Sequence, residues 1–292
     1  MDRIFDLSQP IREETPCTFR TASAVPQVRY SEGESHGVIF ITSRIDNLHS
    51  NTCTHIDFPG HLSEFGSRFY NSVGAYPLSR FVGPVAILDF SFKLAAIESY
   101  FNEGGEFTVD AGDEERMLSF LSALNELEIR ASDLSACAEQ MNISLNSLKG
   151  VLIYSGLSRF WKYQTVESWN YIYFFNPFFS PDACQLILDS KLSFVGIDSL
   201  QVEHPVINYG GDELPVVLHP QCRKYISEKL ELLESAANHR IFLGHDVLIY
   251  ENLLIPRELA GRLVRFSGVP LNLQIPGLDD NALTRPYAYL ST

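Results

Sequence analysis

The chain has 292 residues, with 36 acidic against 22 basic side chains and a formal net charge of −14. A binder of nucleic acid or of an anionic membrane surface needs a basic face, and here Lys and Arg are sparse and scattered, so both partner classes are excluded at this stage. Hydrophobic residues make up 45% and charged residues 20%, a globular composition large enough for one sizeable core, and no apolar run reaches the roughly 18–20 residues of a membrane span.

In chain order, Arg3 to Pro10 opens as a short strand stopped by proline. Its early acids and lack of an apolar stretch predict no secretory leader. Residues 37–46 form a β-branched strand, and Val82–Phe90 a second. Residues 91–116 are acidic (Glu103, Glu106, Asp110, Asp113, Glu114, Glu115) and are expected to be a solvated loop. Met117–Leu127 has helical spacing. Ser132-Asp133-Leu134 resembles a helix start running to Met141. Gly150–Tyr154 is a buried strand. Ser180-Pro181-Asp182 starts a helix with Ser as cap and Pro in the first position, ending near Ser190. Leu192–Asp198 and Val247–Tyr250 are interior strands around a long helix at 222–238, and the tail alternates through Leu271, Leu273, Ile275, Tyr287 and Tyr289.

Strands alternating with helices predict an α/β protein with an internal sheet. The aromatic stretch from Trp161 to Phe179 is expected to be core packing, with a wall for a planar substrate as the alternative. Five cysteines without a Cys-x-x-Cys pair predict free thiols in a reducing cytoplasm.

The stretch Asn51-Thr52-Cys53-Thr54-His55-Ile56-Asp57-Phe58-Pro59-Gly60-His61 carries the chemistry. In an extended chain Asn51, Cys53, His55 and Asp57 share one face until Pro59 ends the strand. Imidazole and carboxylate at i and i+2 suit zinc or manganese. His61 follows just past the proline, close to whatever the metal binds. A second feature is Glu251, directly after the apolar run Val247–Tyr250. A carboxylate there is costly unless it is paired or bound to metal. His239 lies twelve residues upstream.

These residues resemble the cyclase-like metal hydrolases, which include bacterial kynurenine formamidase and isatin hydrolase. That family's signature is His-x-Gly-Thr-His-x-Asp-x-Pro-x-His, with a distant His twelve residues before a Glu-Asn-Leu-like end. Here the matches are Thr54-His55-Ile56-Asp57-Phe58-Pro59-Gly60-His61, His239 and Glu251-Asn252-Leu253. Phe5–Pro10, Val151–Gly156, Asn176–Ser180 and Val195–Ser199 are similar to further family segments, so the likeness runs over roughly residues 4–290.

The resemblance implies a swivelling β/β/α cyclase-like α/β domain with a central barrel-like mixed sheet. It implies one domain over 1–292, with an acidic insertion near 91–130, and a homodimer or larger homo-oligomer. It assigns Asn51, His55, Asp57, His239 and Glu251 to one or two divalent metal ions, zinc or manganese, with Asp57 able to bridge. His61 is implied as the catalytic histidine and Glu251 as a residue orienting water. The implied reaction is attack of metal-bound hydroxide on an amide, formamide or lactone carbonyl of a small molecule, with His61 shuttling the proton.

Two positions depart from the signature. Asn51 stands where the family has its first metal-binding His, and Cys53 where it has Gly. An amide oxygen is a weaker donor than imidazole, and a Cys53 thiolate is a candidate ligand. His49, by a shift of register, is a candidate replacement for the missing His. The departures open a second expectation, a non-catalytic relative that binds a ligand or partner through a degenerate site. A weaker third one is a thiol enzyme using Cys53. His36, His204, His219 and His245 match nothing in the signature, and His245 is expected to be structural.

Overall fold

The computed structural model describes residues 3–11, 27–35, 38–46, 48, 50–65, 68–110, 112–163, 172, 175–205, 224, 227–228, 236–274 and 280–290. Strand β1 (Arg3–Asp6) is followed by β2 (Gln27–Ser35) and β3 (Val38–Asp46), which pair over all nine residues as a separate antiparallel ribbon. Then come β4 (His55–Asp57), β5 (Val82–Asp89), α1 (Ser91–Glu98), α2 (Glu114–Ala123), β6 (Glu128–Ile129) and α3 (Ala131–Gln140). After β7 (Gly150–Tyr154) and β8 (Phe178–Phe179), α4 (Pro181–Asp189) leads to β9 (Phe194–Ile197). The described chain ends with α5 (Ala237–Gly244), β10 (Leu248–Glu251), β11 (Arg262–Ser267), β12 (Asn281–Leu283) and β13 (Tyr287–Leu290).

Nine strands form one mixed sheet in the order β1-β13-β11-β5-β7-β9-β10-β4-β12. Its centre, β5-β7-β9-β10, is parallel, and antiparallel strands flank it on both sides. A flat sheet of nine strands at about 4.8 Å spacing would span nearly 40 Å. Yet one contiguous apolar cluster takes a residue from every strand, among them Phe5, Ile56, Val85, Leu152, Phe194, Tyr250, Phe266, Ala282 and Ala288. The sheet is therefore curled around this cluster, as the expected barrel-like mixed sheet requires.

The opposite face carries a second core, in which α3, α4 and α5 cover Ile153, Val195, Ile197 and Ile249. Residues of β7, β9 and β10 are buried on both faces, which explains their near-continuous apolar runs. Ser180 caps α4 as expected, its Oγ accepting from the Ala183 N–H.

Residues 91–116 keep Glu103, Glu106, Asp110, Asp113, Glu114 and Glu115 exposed, as expected, but they are not all loop. Leu94 and Ile97 are buried from α1. α2 starts three residues before Met117, because Asp113 accepts from the Arg116 N–H and Glu114 and Glu115 sit in its first turn. Acids at a helix N-terminus cap free amides and complement the dipole, so part of this charge run is a helix start. α3 likewise begins at Ala131, with Asp133 reaching back to accept from the Arg130 N–H at 3.0 Å.

Phe101, Phe107, Phe120 and Phe175 pack ring on ring in a third core with Phe178. Phe175, Phe178 and Phe179 are thus core residues and Trp161 packs against the third core, as expected, while Trp169, Tyr171, Tyr173, Phe174 and the Tyr163 side chain lie outside what the structure describes. So does most of the expected 222–238 helix; α5 starts only at Ala237. Leu271 and Leu273 belong to no strand, and Leu271 is exposed. Ile275 lies outside the described residues.

Candidate metal centre

The centre is built at the seam where β10 meets β4. In the antiparallel pairing Glu251 lies opposite His55, and Ile249 opposite Asp57. With a side-chain period of two, His55, Asp57 and Glu251 share the helix-covered face, while Ile56 and Tyr250 enter the curled core. Thr54 locks the seam: its Oγ1 donates to the Asn252 carbonyl at 2.6 Å and accepts from the Gln9 N–H at 2.8 Å. β4 ends at Asp57, as Pro59 predicts. Pro59-Gly60-His61 then forms a short 3₁₀ turn, with the His61 N–H donating to the Phe58 carbonyl at 2.9 Å. The turn folds His61 back over the strand end, half-buried, its Nδ1 3.3 Å from Asn281 Nδ2 of β12.

His239 arrives from the first turn of α5. Its Nε2 stands 3.6 Å from Asp57 Oδ2 and 3.5 Å from Glu251 Oε1. His55 Nε2 stands 3.4 Å from Asp57 Oδ1 and 3.6 Å from Glu251 Oε2. His55 Nδ1 bonds the Cys53 carbonyl at 2.8 Å, which makes it the donor and turns Nε2 toward the carboxylates. The His61 and His239 rings lie 5.9 Å apart.

All four of His55, Asp57, His239 and Glu251 are buried, so their charges act in a medium of low polarity. Burial opposes protonation of His55, but the Asp57 and Glu251 carboxylates outweigh it and lift its pKa to about 9. The same contest, with Asp57, Glu203 and Glu251 as partners, lifts His239 well above its ordinary value. Burial works to raise Asp57, yet His55 and His239 hold it below the usual carboxylate range. Glu251 is raised, by burial and by the neighbouring Asp57 charge.

These groups fit a divalent metal. Both oxygens of Asp57 and Oε1 of Glu251 are buried without a hydrogen-bond partner among the described residues, a state that is costly and rare in native proteins. The 3.4–3.6 Å spacings are long for hydrogen bonds. Two donors each about 2.1 Å from a shared tetrahedral centre stand about 3.4 Å apart. Ligand atoms of His55, Asp57 and Glu251 fall within 4.8 Å of one another, as do those of Asp57, His61 and His239. The two trios share Asp57.

The structure therefore brings together His55, Asp57, His61, His239 and Glu251. Asn51 lies in the turn before Cys53, half-buried and outside β4. The expected common face from Asn51 through Asp57 does not form, because Cys53 has a left-handed φ of 58° and interrupts extension before His55. A left-handed residue is where glycine costs least, which accounts for the Gly of the signature at this position. The Cys53 thiol is buried and directed at the Pro10 carbonyl, 3.9 Å away. His49, His36 and His219 lie outside the described residues. His245 bonds the Ile241 carbonyl at the end of α5, a structural role as expected.

Sequence reasoning missed Glu203 and Asn281. Glu203 Oε1 accepts from both His239 Nδ1 (2.9 Å) and the His239 N–H (2.7 Å). The available signal was an acid soon after a buried strand, beside His204. Asn281 carried no signal, since its contact with His61 comes from β12, 220 residues away. A cavity of about 420 Å³ lined by Phe101, Arg159, Phe160 and Ile172 lies elsewhere and shares no residue with this centre.

The Cyclase family model matches residues 5–204. An isatin hydrolase bound to the product analogue thioisatinate superposes with a TM-score of 0.66 at 13% identity, covering 100% of this chain and 93% of its own. Isatin hydrolase A from Ralstonia solanacearum gives 0.63 at 15%, covering 99% and 92%. A metal-dependent hydrolase from Bacillus stearothermophilus, so described from prediction, gives 0.55 at 20%, covering 99% and 98%. Among curated protein sequences no significant match is found.

Proposed function

Since this chain belongs to the Cyclase family, we propose that it is a metal-dependent hydrolase of an amide, formamide or lactone bond in a small molecule. The observation that carries this reading is the pair of buried carboxylates, Asp57 and Glu251, which set three oxygens without hydrogen-bond partners, both of Asp57 and Oε1 of Glu251, between two buried imidazoles. His55, Asp57, His239 and Glu251 would hold one or two ions, zinc or manganese, with Asn51 as a further oxygen donor. A bound divalent cation would polarise the substrate carbonyl and bring the pKa of water toward about 7.

The remaining chemistry belongs to the chain. His61 sits at the rim of the cluster, half-buried, where it is placed to carry a proton from the attacking water to the leaving nitrogen or oxygen. Asn281 holds the His61 ring through Nδ1, leaving Nε2 for that transfer. Glu251 orients water from the side of β10. Relatives of this fold include isatin hydrolases, which supports a cyclic amide or aryl formamide as substrate. In this reading residues 1–292 act as one domain and assemble as a homo-oligomer in the cytoplasm.

The test is elemental analysis of protein purified without chelator, followed by assays on N-formylkynurenine, isatin and simple lactones. Stoichiometric zinc or manganese together with turnover of one of these substrates is the expected outcome. A correctly folded, metal-free protein that also ignores added metal would mark it as a non-catalytic binding relative.

A further inference from the structure

Helix α5 starts without a cap of its own. Its N-cap residue, Ala236, has a left-handed φ of 55° and no side chain able to accept a hydrogen bond. The helix amides that a Ser or Asp would normally satisfy must find an acceptor elsewhere. For His239, in the third helical position, the acceptor is the Glu203 carboxylate, 36 residues away in sequence. The same oxygen, Oε1, takes the Nδ1 proton of the His239 ring. One carboxylate thus fixes both the backbone and the side chain of a single residue.

Glu203 is itself held firmly. The carbonyls of Gln201, Val202 and Glu203 accept in succession from Asn176 Nδ2 (3.0 Å), Asn238 Nδ2 (2.9 Å) and Asn176 Nδ2 (2.9 Å). Asn238 Nδ2 also donates to the Phe179 carbonyl at 2.9 Å. Both asparagines and Glu203 are buried. The main chain that carries the Glu203 carboxylate is thus pinned by three side-chain amide hydrogen bonds.

We propose that Glu203 is the positioning residue of the centre: it sets the His239 ring so that Nε2 faces Asp57 and Glu251, and it couples that orientation to the start of α5. A histidine ligand commonly gives its other ring N–H to a carboxylate, which fixes the tautomer and strengthens the donor nitrogen. The inference rests on the metal reading above for its functional consequence, and on the hydrogen bonds alone for its geometry.

Two measurements separate these parts. In the full-length metal-free protein, the ring Nδ1–H of His239 is expected to give a protected proton resonance, lost in Glu203→Ala. With Zn²⁺ as the probe and a competing chelator, affinity is expected to fall about tenfold in Glu203→Gln, which keeps an acceptor for the helix amide, and toward 100-fold in Glu203→Ala. His239→Ala should lose at least as much, and adding Glu203→Gln to it should cost nothing further. Unchanged zinc affinity in both Glu203 variants, a protected Nδ1–H that survives in Glu203→Ala, or losses additive with His239→Ala would each overturn the proposal. A wild-type protein that binds no zinc would overturn the metal reading instead, and the Nδ1–H comparison would still decide whether Glu203 holds the ring.

Discussion

Two aspartates stand at strand ends of the same sheet, both almost fully buried, and their surroundings could hardly differ more. Asp198, just after β9, accepts from the Ser155 N–H (2.8 Å), Ser155 Oγ (2.6 Å), the Gly156 N–H (2.9 Å) and Ser158 Oγ (3.3 Å). Asp57, at the end of β4, has no hydrogen-bond partner on either oxygen, only imidazole nitrogens at 3.4 and 3.6 Å. Burial raises the pKa of Asp198 despite its donors, whereas two flanking imidazoles hold Asp57 below its ordinary value. Asp198 ties the ends of β7 and β9 together. Asp57 is kept charged with its lone pairs directed at other ligand-type atoms, the condition of a group that binds a cation. A buried acid is therefore informative through its partners and not through its burial.

The sharpest way to break this comparison is to exchange the losses. Asp198→Ala strands the Ser155 and Gly156 amides and should cost on the order of 3 kcal/mol of stability, read by denaturant unfolding, with metal affinity nearly unchanged. Asp57→Asn should do the reverse, lowering zinc affinity by more than about 100-fold while the metal-free protein melts near wild type. Asp57→Asn that unfolds the chain and still binds zinc would place both aspartates in one structural class.

Next in size is His61→Ala, for which kcat should fall about 10²–10⁴-fold on a confirmed substrate with metal retained. Because His61 also forms a ligand-spaced trio with Asp57 and His239, loss of metal in that variant would reassign it from proton carrier to ligand.

A smaller effect concerns pH. His55 has a folded pKa of about 9, above its ordinary value of about 6.5. Its contribution to the metal-free fold is full below pH 6.5 and is lost as pH rises through about 9. Metal competes for the same nitrogen, so zinc affinity should rise over that window. Melting curves of chelated and zinc-loaded protein between pH 6 and 9.5 should diverge. Parallel curves would mean that His55 is not a ligand.

The smallest effect is at Cys53. Cys53→Gly relieves a left-handed residue by about 1 kcal/mol and gives up one buried thiol. Melting should shift by no more than a few degrees, with zinc affinity unchanged. A large drop in turnover would revive a thiol mechanism.

The acidic segment shows how local reading goes astray. Asp113, Glu114 and Glu115 are surface charge, as they look, but they also start α2. The expected loop also hides Leu94 and Ile97, because two buried apolar residues on a short helix that also exposes Phe92 leave too little periodicity to detect.

The local motif around His55 was legible because its chemistry is written in residue types at close spacing: a period-two strand, a proline that ends it, and a histidine just beyond. Buried strands were legible from their apolar runs, Glu251 from its place directly after one of them, and family resemblance gave it and the distant His239 their role as ligands. What only the tertiary structure decided were the partners joined across long stretches of chain. These include Glu251 opposite His55, Glu203 beneath His239, Asn281 beside His61, and the curl that lets nine strands share one core. Strand register and helix docking are set by the packing of whole faces, and no residue carries that information in its own neighbourhood.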